Sequence, residues 1–250
     1  MAKRLNYRFY QVFWSALDWL FPPKCGGCGK MGTRWCDSCQ ASVQKIEPPL
    51  CPLCGQKLTR AELCKRCQKA APRYTALRSW AVFDGPVRNA LHELKYQRNV
   101  GLGDVLAHSL VVLFQSVKWE IDLIAPVPLG LARLAERGYN QASLLARPFS
   151  LVLNVPYRPQ ILIRARETRS QVGLTAAERR LNVSGAFFAH SNWAVDRSVL
   201  VVDDVTTSGS TLEACADALF TAGARQVYGL TLARAVFKSP QLMDQPIQDS

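Results

Sequence analysis

The chain has 250 residues, 48% of them hydrophobic, which allows a packed core and excludes wholesale disorder. Its formal net charge is +12, but unevenly spread: residues 1–75 hold 13 Lys/Arg against 4 Asp/Glu, and residues 76–250 hold 18 against 15. A basic N-terminal third suggests an anionic partner, nucleic acid first, and no uninterrupted run of about 20 apolar residues is present to span a bilayer.

The first element is "YRFYQVFWSALDWLFPP", Tyr7 to Pro23. Phe9, Val12, Phe13, Leu17 and Leu20 recur at helical spacing. This predicts a short amphipathic helix within residues 1–22, docked on the protein's own core. Arg8, Gln11 and Asp18 interrupt it as a transmembrane segment. Bulky Trp19, Leu20 and Phe21 stand where a signal peptide needs small residues, so a cytoplasmic protein is expected. Contact of the helix with a membrane surface stays open.

Eight of the nine cysteines follow as four Cys-x-x-Cys pairs: Cys25/Cys28, Cys36/Cys39, Cys51/Cys54 and Cys64/Cys67. Two residues between cysteines turn both sulfurs toward one point, and two such turns supply the four thiolates of a tetrahedral zinc site. The short gaps between successive pairs fit hairpins, so the natural grouping is sequential. The spacing also permits a cross-braced grouping. With no histidine, no carboxylate and no open position, two structural Zn2+ ions are expected in a double zinc ribbon over residues 23–70. Metal binding, worth on the order of 10 kcal/mol, would supply the stability that a region poor in apolar residues lacks. Chelation is then expected to unfold residues 25–67 and leave the remainder folded. The ninth cysteine, Cys215, lies in a helical pattern and is expected to pack in the core.

Gln68 to Leu77 reads as a linker. Beyond it, short apolar runs alternate with longer amphipathic stretches. "RSWAVFDG" reads as a strand, "PVRNALHELKYQ" as a helix from Pro86, and "GLGDVLAHSLVVLFQSVK" as a second helix. "IDLIAPVPL" is a buried strand, "LARLAERGYNQASLLARPFSLVLN" mostly helix, and "QILIRAR" a strand. "VLVVDD", "STLEACADALFTAG" and "QVYGLTLAR" close the series as strand, helix and strand. This alternation predicts a doubly wound α/β domain with a mostly parallel sheet over residues 76–237, followed by a loose tail over 238–250.

In such a sheet, ligands bind beyond the carboxyl ends of the strands. There stands "VLVVDDVTTSGST": four apolar residues, Asp203 and Asp204, Val205, then Thr206, Thr207, Ser208, Gly209, Ser210 and Thr211. Loop amides and the positive end of the following helix suit a phosphate. The carboxylates repel phosphate but suit vicinal hydroxyls, or a Mg2+ that the ligand carries. A phosphate at one end and a diol at the other describe a ribose 5-phosphate.

This stretch resembles the phosphoribosyl-pyrophosphate motif of type I phosphoribosyltransferases. Asp203 and Asp204 match its acids, and Thr207, Ser208, Gly209 and Thr211 match its loop; Ser208 replaces a threonine but keeps the hydroxyl. With the cysteine module in front, nearly the whole chain resembles the ComF family, a double zinc ribbon before a phosphoribosyltransferase domain. "LKYQRNVGLGDVLA", "PVPLGLARLAERGYNQA" and "RARETRSQVGLTAAERRLNVSGAF" carry the resemblance further. It implies competence, the uptake and use of DNA. It also implies a pyrophosphate loop with Arg133, Arg137 and Asn140. A mobile hood would offer Arg164, Arg166, Arg169, Gln171 and Arg179, with Lys95 a further candidate. The implied chemistry is displacement at C1′ of the ribose as Mg2+-pyrophosphate departs, with the protein positioning groups and stabilising charge.

Three functional classes follow. The chain could bind phosphoribosyl pyrophosphate, or a related ribose phosphate, and transfer it to an unidentified acceptor. It could handle single-stranded DNA through backbone contacts of the basic ribbons. Or the ribbons could serve as an adaptor for the DNA-uptake machinery. These classes are not exclusive, and catalysis stays open among them.

Overall fold

The computed structural model describes residues 22–166 and 176–235, without the side chains of residues 176, 177, 179 and 180. The expected N-terminal helix, the tail from 238, and Arg169 and Gln171 lie outside the described residues.

The cysteine region repeats one small unit. In the first, Cys25 N–H donates to the Lys30 carbonyl at 2.8 Å and Gly29 N–H to the Cys25 carbonyl at 2.8 Å. In the second, Cys51 N–H donates to the Gln56 carbonyl at 2.8 Å and Gly55 N–H to the Cys51 carbonyl at 3.0 Å. Each unit ends in a one-turn helix carrying its last cysteine, α1 (Asp37–Ala41) and α2 (Lys65–Lys69).

The elements that follow are β1 (Ala76–Val82), α3 (Gly85–Tyr96), α4 (Leu102–Gln115), β2 (Leu123–Pro126), α5 (Leu131–Arg137) and α6 (Gln141–Leu153). Then come β3 (Leu162–Arg164), α7 (Ala176–Val183), β4 (Phe187–Ala189), α8 (Ser191–Ala194), β5 (Ser198–Thr206), α9 (Ser210–Thr221) and β6 (Gln226–Arg234). The main sheet has the order β1-β6-β5-β2, with every pairing parallel. One face buries Ile124, Leu200, Val202 and Leu230 beneath α3, α4 and α6. The other buries Val199, Val201 and Val227 beneath α9. Continuous apolar strands fit this arrangement, because both faces of a parallel sheet are covered.

One expectation needs correction. "QILIRAR" forms only the three-residue β3, which pairs antiparallel with β4 outside the main sheet. The edge it would have joined is taken: Ile124 N–H donates to the Pro156 carbonyl at 2.9 Å, and its carbonyl accepts from Arg158 N–H at 2.9 Å. The stretch from Leu131 is mostly helix as expected, in two pieces. Gly138, at φ 80°, ends α5 in a left-handed cap, and the Asn140 side chain starts α6 by accepting from Ala142 N–H at 3.0 Å.

Candidate functional site

The eight sulfurs form two groups in sequence, Cys25/Cys28/Cys36/Cys39 and Cys51/Cys54/Cys64/Cys67, and no disulfide joins them. The grouping is therefore sequential, not cross-braced. Cys25 Sγ lies 3.6 Å from Cys36 Sγ and 3.7 Å from Cys39 Sγ, and Cys54 Sγ lies 3.6 Å from Cys64 Sγ. A tetrahedron with Zn–S bonds of about 2.3 Å has edges of about 3.8 Å, so the sulfurs already stand where zinc would hold them. These are two zinc-binding sites, each built from four cysteines. All ligands except Cys28 are buried, and neither site leaves a position for substrate.

At the carboxyl ends of the strands lies a cavity of about 590 Å³. The end of β5, the loop after it and the start of α9 form one wall through Asp203, Asp204, Thr206, Thr207, Gly209, Ser210 and Thr211. The segment after β2 and α5 bring Arg133 and Arg137, and β3 brings Arg164. The end of α3 adds Lys95 and Tyr96.

The acid pair is unequal. Asp204 accepts from Gln141 Nε2 at 3.3 Å and forms an ion pair with Lys95 Nζ. Asp203 Oδ1 instead accepts the backbone N–H of Asp204 at 2.9 Å. Burial pushes the Asp204 carboxyl up, but Lys95, helped by the Asp203 and Gln141 hydrogen bonds, outweighs it and holds Asp204 below the ordinary carboxylate value. Burial, and then the charge of Asp204, push Asp203 well above that value. Burial alone would lower Lys95, yet Asp204 beside it carries the ammonium above the ordinary lysine value. One carboxylate is thus charged and paired, while its neighbour resists ionising.

The loop is built for close approach. Gly209 has φ 84° and ψ 3°, a left-handed conformation that L side chains avoid. A Cβ there would also stand 3.1 Å from Tyr74 Oη. Ser208 and Ser210 share a 2.7 Å hydroxyl contact. Ser208 itself is not part of the cavity wall, and its carbonyl accepts from the Arg66 guanidinium.

The other candidates divide. Arg137 donates to Gln141 Oε1 at 3.0 Å and lies over the Tyr96 ring at 5.1 Å, so it braces the residue that braces Asp204. Asn140 is absent from the cavity wall: it caps α6 and donates to the Val127 carbonyl at 2.9 Å. Arg164 lies over the Phe187 ring at 5.5 Å. Arg166 holds the Asn182 and Ser184 carbonyls at 3.1 and 2.9 Å, away from the cavity. The Arg179 side chain, like Gln171, is outside what the structure describes. Gln141, Tyr96 and Glu136 line the cavity without having been expected. Gln141 is buried at the start of α6, a position that the apolar pattern, continuous across Gly138, did not mark.

A family model described as a double zinc ribbon domain matches residues 16–68. Competence protein F of Haemophilus influenzae is 33% identical over 208 residues, covering 80% of this chain and 90% of that protein. DNA utilization protein YhgH of Escherichia coli is 30% identical over 207 residues, with the same coverage. Competence protein ComFC of Bacillus subtilis is 27% identical over 232 residues, covering 90% of each chain. Among solved structures, glutamine phosphoribosylpyrophosphate amidotransferase from B. subtilis is similar with a TM-score of 0.40 at 20% identity, over 56% of this chain and 30% of that one. Adenine phosphoribosyltransferase from Thermoanaerobacter pseudethanolicus is similar with a TM-score of 0.33 at 15% identity, over 60% and 84%. Among the described residues, no helix is long and apolar enough to cross a membrane.

Proposed function

The chain belongs to the ComF family, and from that premise we propose that its α/β domain binds phosphoribosyl pyrophosphate or a closely related ribose phosphate. One observation carries the reading: an acid pair and a glycine-bearing hydroxyl loop at a helix start line one cavity with three arginines, Arg133, Arg137 and Arg164. The loop amides of residues 207–211 would hold the 5-phosphate. Asp203 and Asp204 would face the ribose hydroxyls, and Arg133 and Arg137 the diphosphate. Mg2+, carried in on the diphosphate, would neutralise charge beside the acids, where Lys95 now does so.

Calorimetry of the full chain with phosphoribosyl pyrophosphate and Mg2+ tests this directly. Asp203→Asn and Asp204→Asn are each expected to weaken binding about tenfold or more, as expected for losing a charged hydrogen-bonding group. No heat with the unmodified protein would sink the reading. Pyrophosphate release across a panel of bases and amines then separates a transferase from a binding protein.

A second reading concerns the ribbons. Lys24, Lys30, Lys57, Arg60, Lys65 and Lys69 are all exposed there, on a module whose cysteines, Cys28 apart, are buried. Such a surface suits the backbone of single-stranded DNA, with proteins of DNA uptake as further partners. Binding should then fall steeply with salt, with a log–log slope of about −0.7 for each phosphate contacted. A slope that Lys57→Glu and Lys65→Glu leave unchanged places DNA elsewhere or nowhere.

A further inference from the structure

The second zinc ribbon is joined to the loop that follows β5. Arg66 lies between the ligands Cys64 and Cys67, and its guanidinium donates to the Ser208 carbonyl. Buried Tyr74, just beyond the same ribbon, sets its hydroxyl against Gly209. From the sheet side, Arg234 at the end of β6 donates to the Cys54 carbonyl. Cys51, Cys54, Cys64 and Cys67 share one buried cluster with Tyr74, Leu77 and Leu212. The first ribbon docks elsewhere: Gly27 accepts from Asn89 on α3 at 2.8 Å, and Gly26 packs on Leu102 of α4.

The geometry of the Ser208–Gly209 peptide gives this contact its meaning. In a trans peptide the C=O and the next N–H point in opposite directions. With the Ser208 carbonyl turned out to Arg66, the Gly209 N–H is turned the other way, and Gly209 lines the cavity. The Gly209 dihedrals are those of the third residue of a type II turn. Type I and type II turns differ by a flip of the peptide before such a residue. The peptide before Gly209 is the one whose carbonyl Arg66 holds.

We propose that the second zinc centre supports the anion-binding loop, with Arg66 as its positioning residue. Metal on Cys51, Cys54, Cys64 and Cys67 fixes α2, α2 aims Arg66, and Arg66 keeps the Gly209 amide pointed at the ligand. Loss of metal from this centre, but not from the first, lets the peptide flip and disables the loop. The consequence for ligand affinity rests on the ribose-phosphate reading above; the effect on the loop itself does not.

The test uses the full zinc-loaded chain and three variants, Arg66→Ala, Arg66→Lys and Cys28→Ser, with zinc content measured for each. Hydrogen exchange at residues 207–211 and calorimetry with phosphoribosyl pyrophosphate and Mg2+ are the readouts. Arg66→Ala should keep two zinc ions, exchange the loop amides about tenfold faster and bind about tenfold more weakly, the scale of one charged hydrogen bond. Arg66→Lys, which retains a donor and the charge, should fall between it and the parent. Cys28→Ser should lose one zinc and leave the loop protected. Parental loop exchange in Arg66→Ala with both metals retained would overturn the proposal, as would equal loss of protection in Cys28→Ser. If the parent binds no phosphoribosyl pyrophosphate, the ribose-phosphate reading fails while the exchange comparison still decides this one.

Discussion

Lys95 compensates the only one of the two adjacent acids that is readily charged. The Asp204 carboxylate lies against the Lys95 ammonium with side chains 6% and 21% exposed, so neither charge is well served by water. Removing one partner of such a pair leaves the other buried and uncompensated, which costs about 3 kcal/mol. Lys95→Ala should therefore lower stability by about that amount in denaturant titrations at neutral pH. The pH dependence has a definite sign. Asp204 is lowered in the folded state, so its contribution is present above the ordinary carboxylate value and is lost as pH falls through the lowered one. Lys95 is raised, so its contribution is present below the ordinary lysine value and is lost as pH climbs through the raised one. Parent and variant should differ across the neutral range and converge at both extremes. A difference that stays constant into strong acid would show that the pair is not its source. Asp203 and Asp204 were legible in the sequence, because adjacency is a local fact. Their unequal charge states were not, because they depend on an ammonium delivered by the end of another helix.

The strand–loop–helix running from β5 to α9 was readable almost residue by residue. Four apolar positions mark the buried strand, and the helical pattern begins at Ser210 as found. Gly209 is the joint between them. Gly209→Ala must place a Cβ at positive φ and 3.1 Å from Tyr74 Oη. Those two costs predict a loss of about 1–3 kcal/mol in thermal or chemical unfolding, together with weaker ribose-phosphate binding. Parental stability and affinity would show that the loop does not need this conformation. Shorter elements were harder to place. The three residues of β3 carry too little periodicity to distinguish a main-sheet strand from the antiparallel pair they form with β4. The break at Gly138 lies in a stretch whose apolar spacing continues across it, so cap geometry, not pattern, separates α5 from α6.

At the scale of the molecule, the ribbons do more than precede the sheet: they close its β1 edge. Leu77 N–H donates to the Leu53 carbonyl at 2.7 Å, Ile46 N–H to the Trp80 carbonyl at 3.0 Å and Val82 N–H to the Gln44 carbonyl at 2.8 Å. An edge strand left open would expose its unpaired backbone groups. This packing changes what chelation should do. Unfolding confined to residues 25–67 requires a module that stands alone, but the second cluster lies in the core beneath the sheet. Stripping both metals should therefore lower the melting temperature of the whole α/β domain, followed by tryptophan fluorescence and far-ultraviolet circular dichroism. An unchanged transition for the sheet would restore the independent module.

The sequence by itself determined what depends on spacing. Two residues between thiols specified the metal chemistry, apolar runs specified the alternation of strand and helix, and adjacent acids before a hydroxyl loop marked the end of the sheet where the cavity opens. Only the tertiary structure decided how these parts join. It grouped the cysteines in sequence, brought Lys95 to Asp204, and brought Arg66 to Ser208 across 142 residues of chain. Local pattern reports which face of an element is buried. Which distant charge or carbonyl meets that face is settled only when the elements pack.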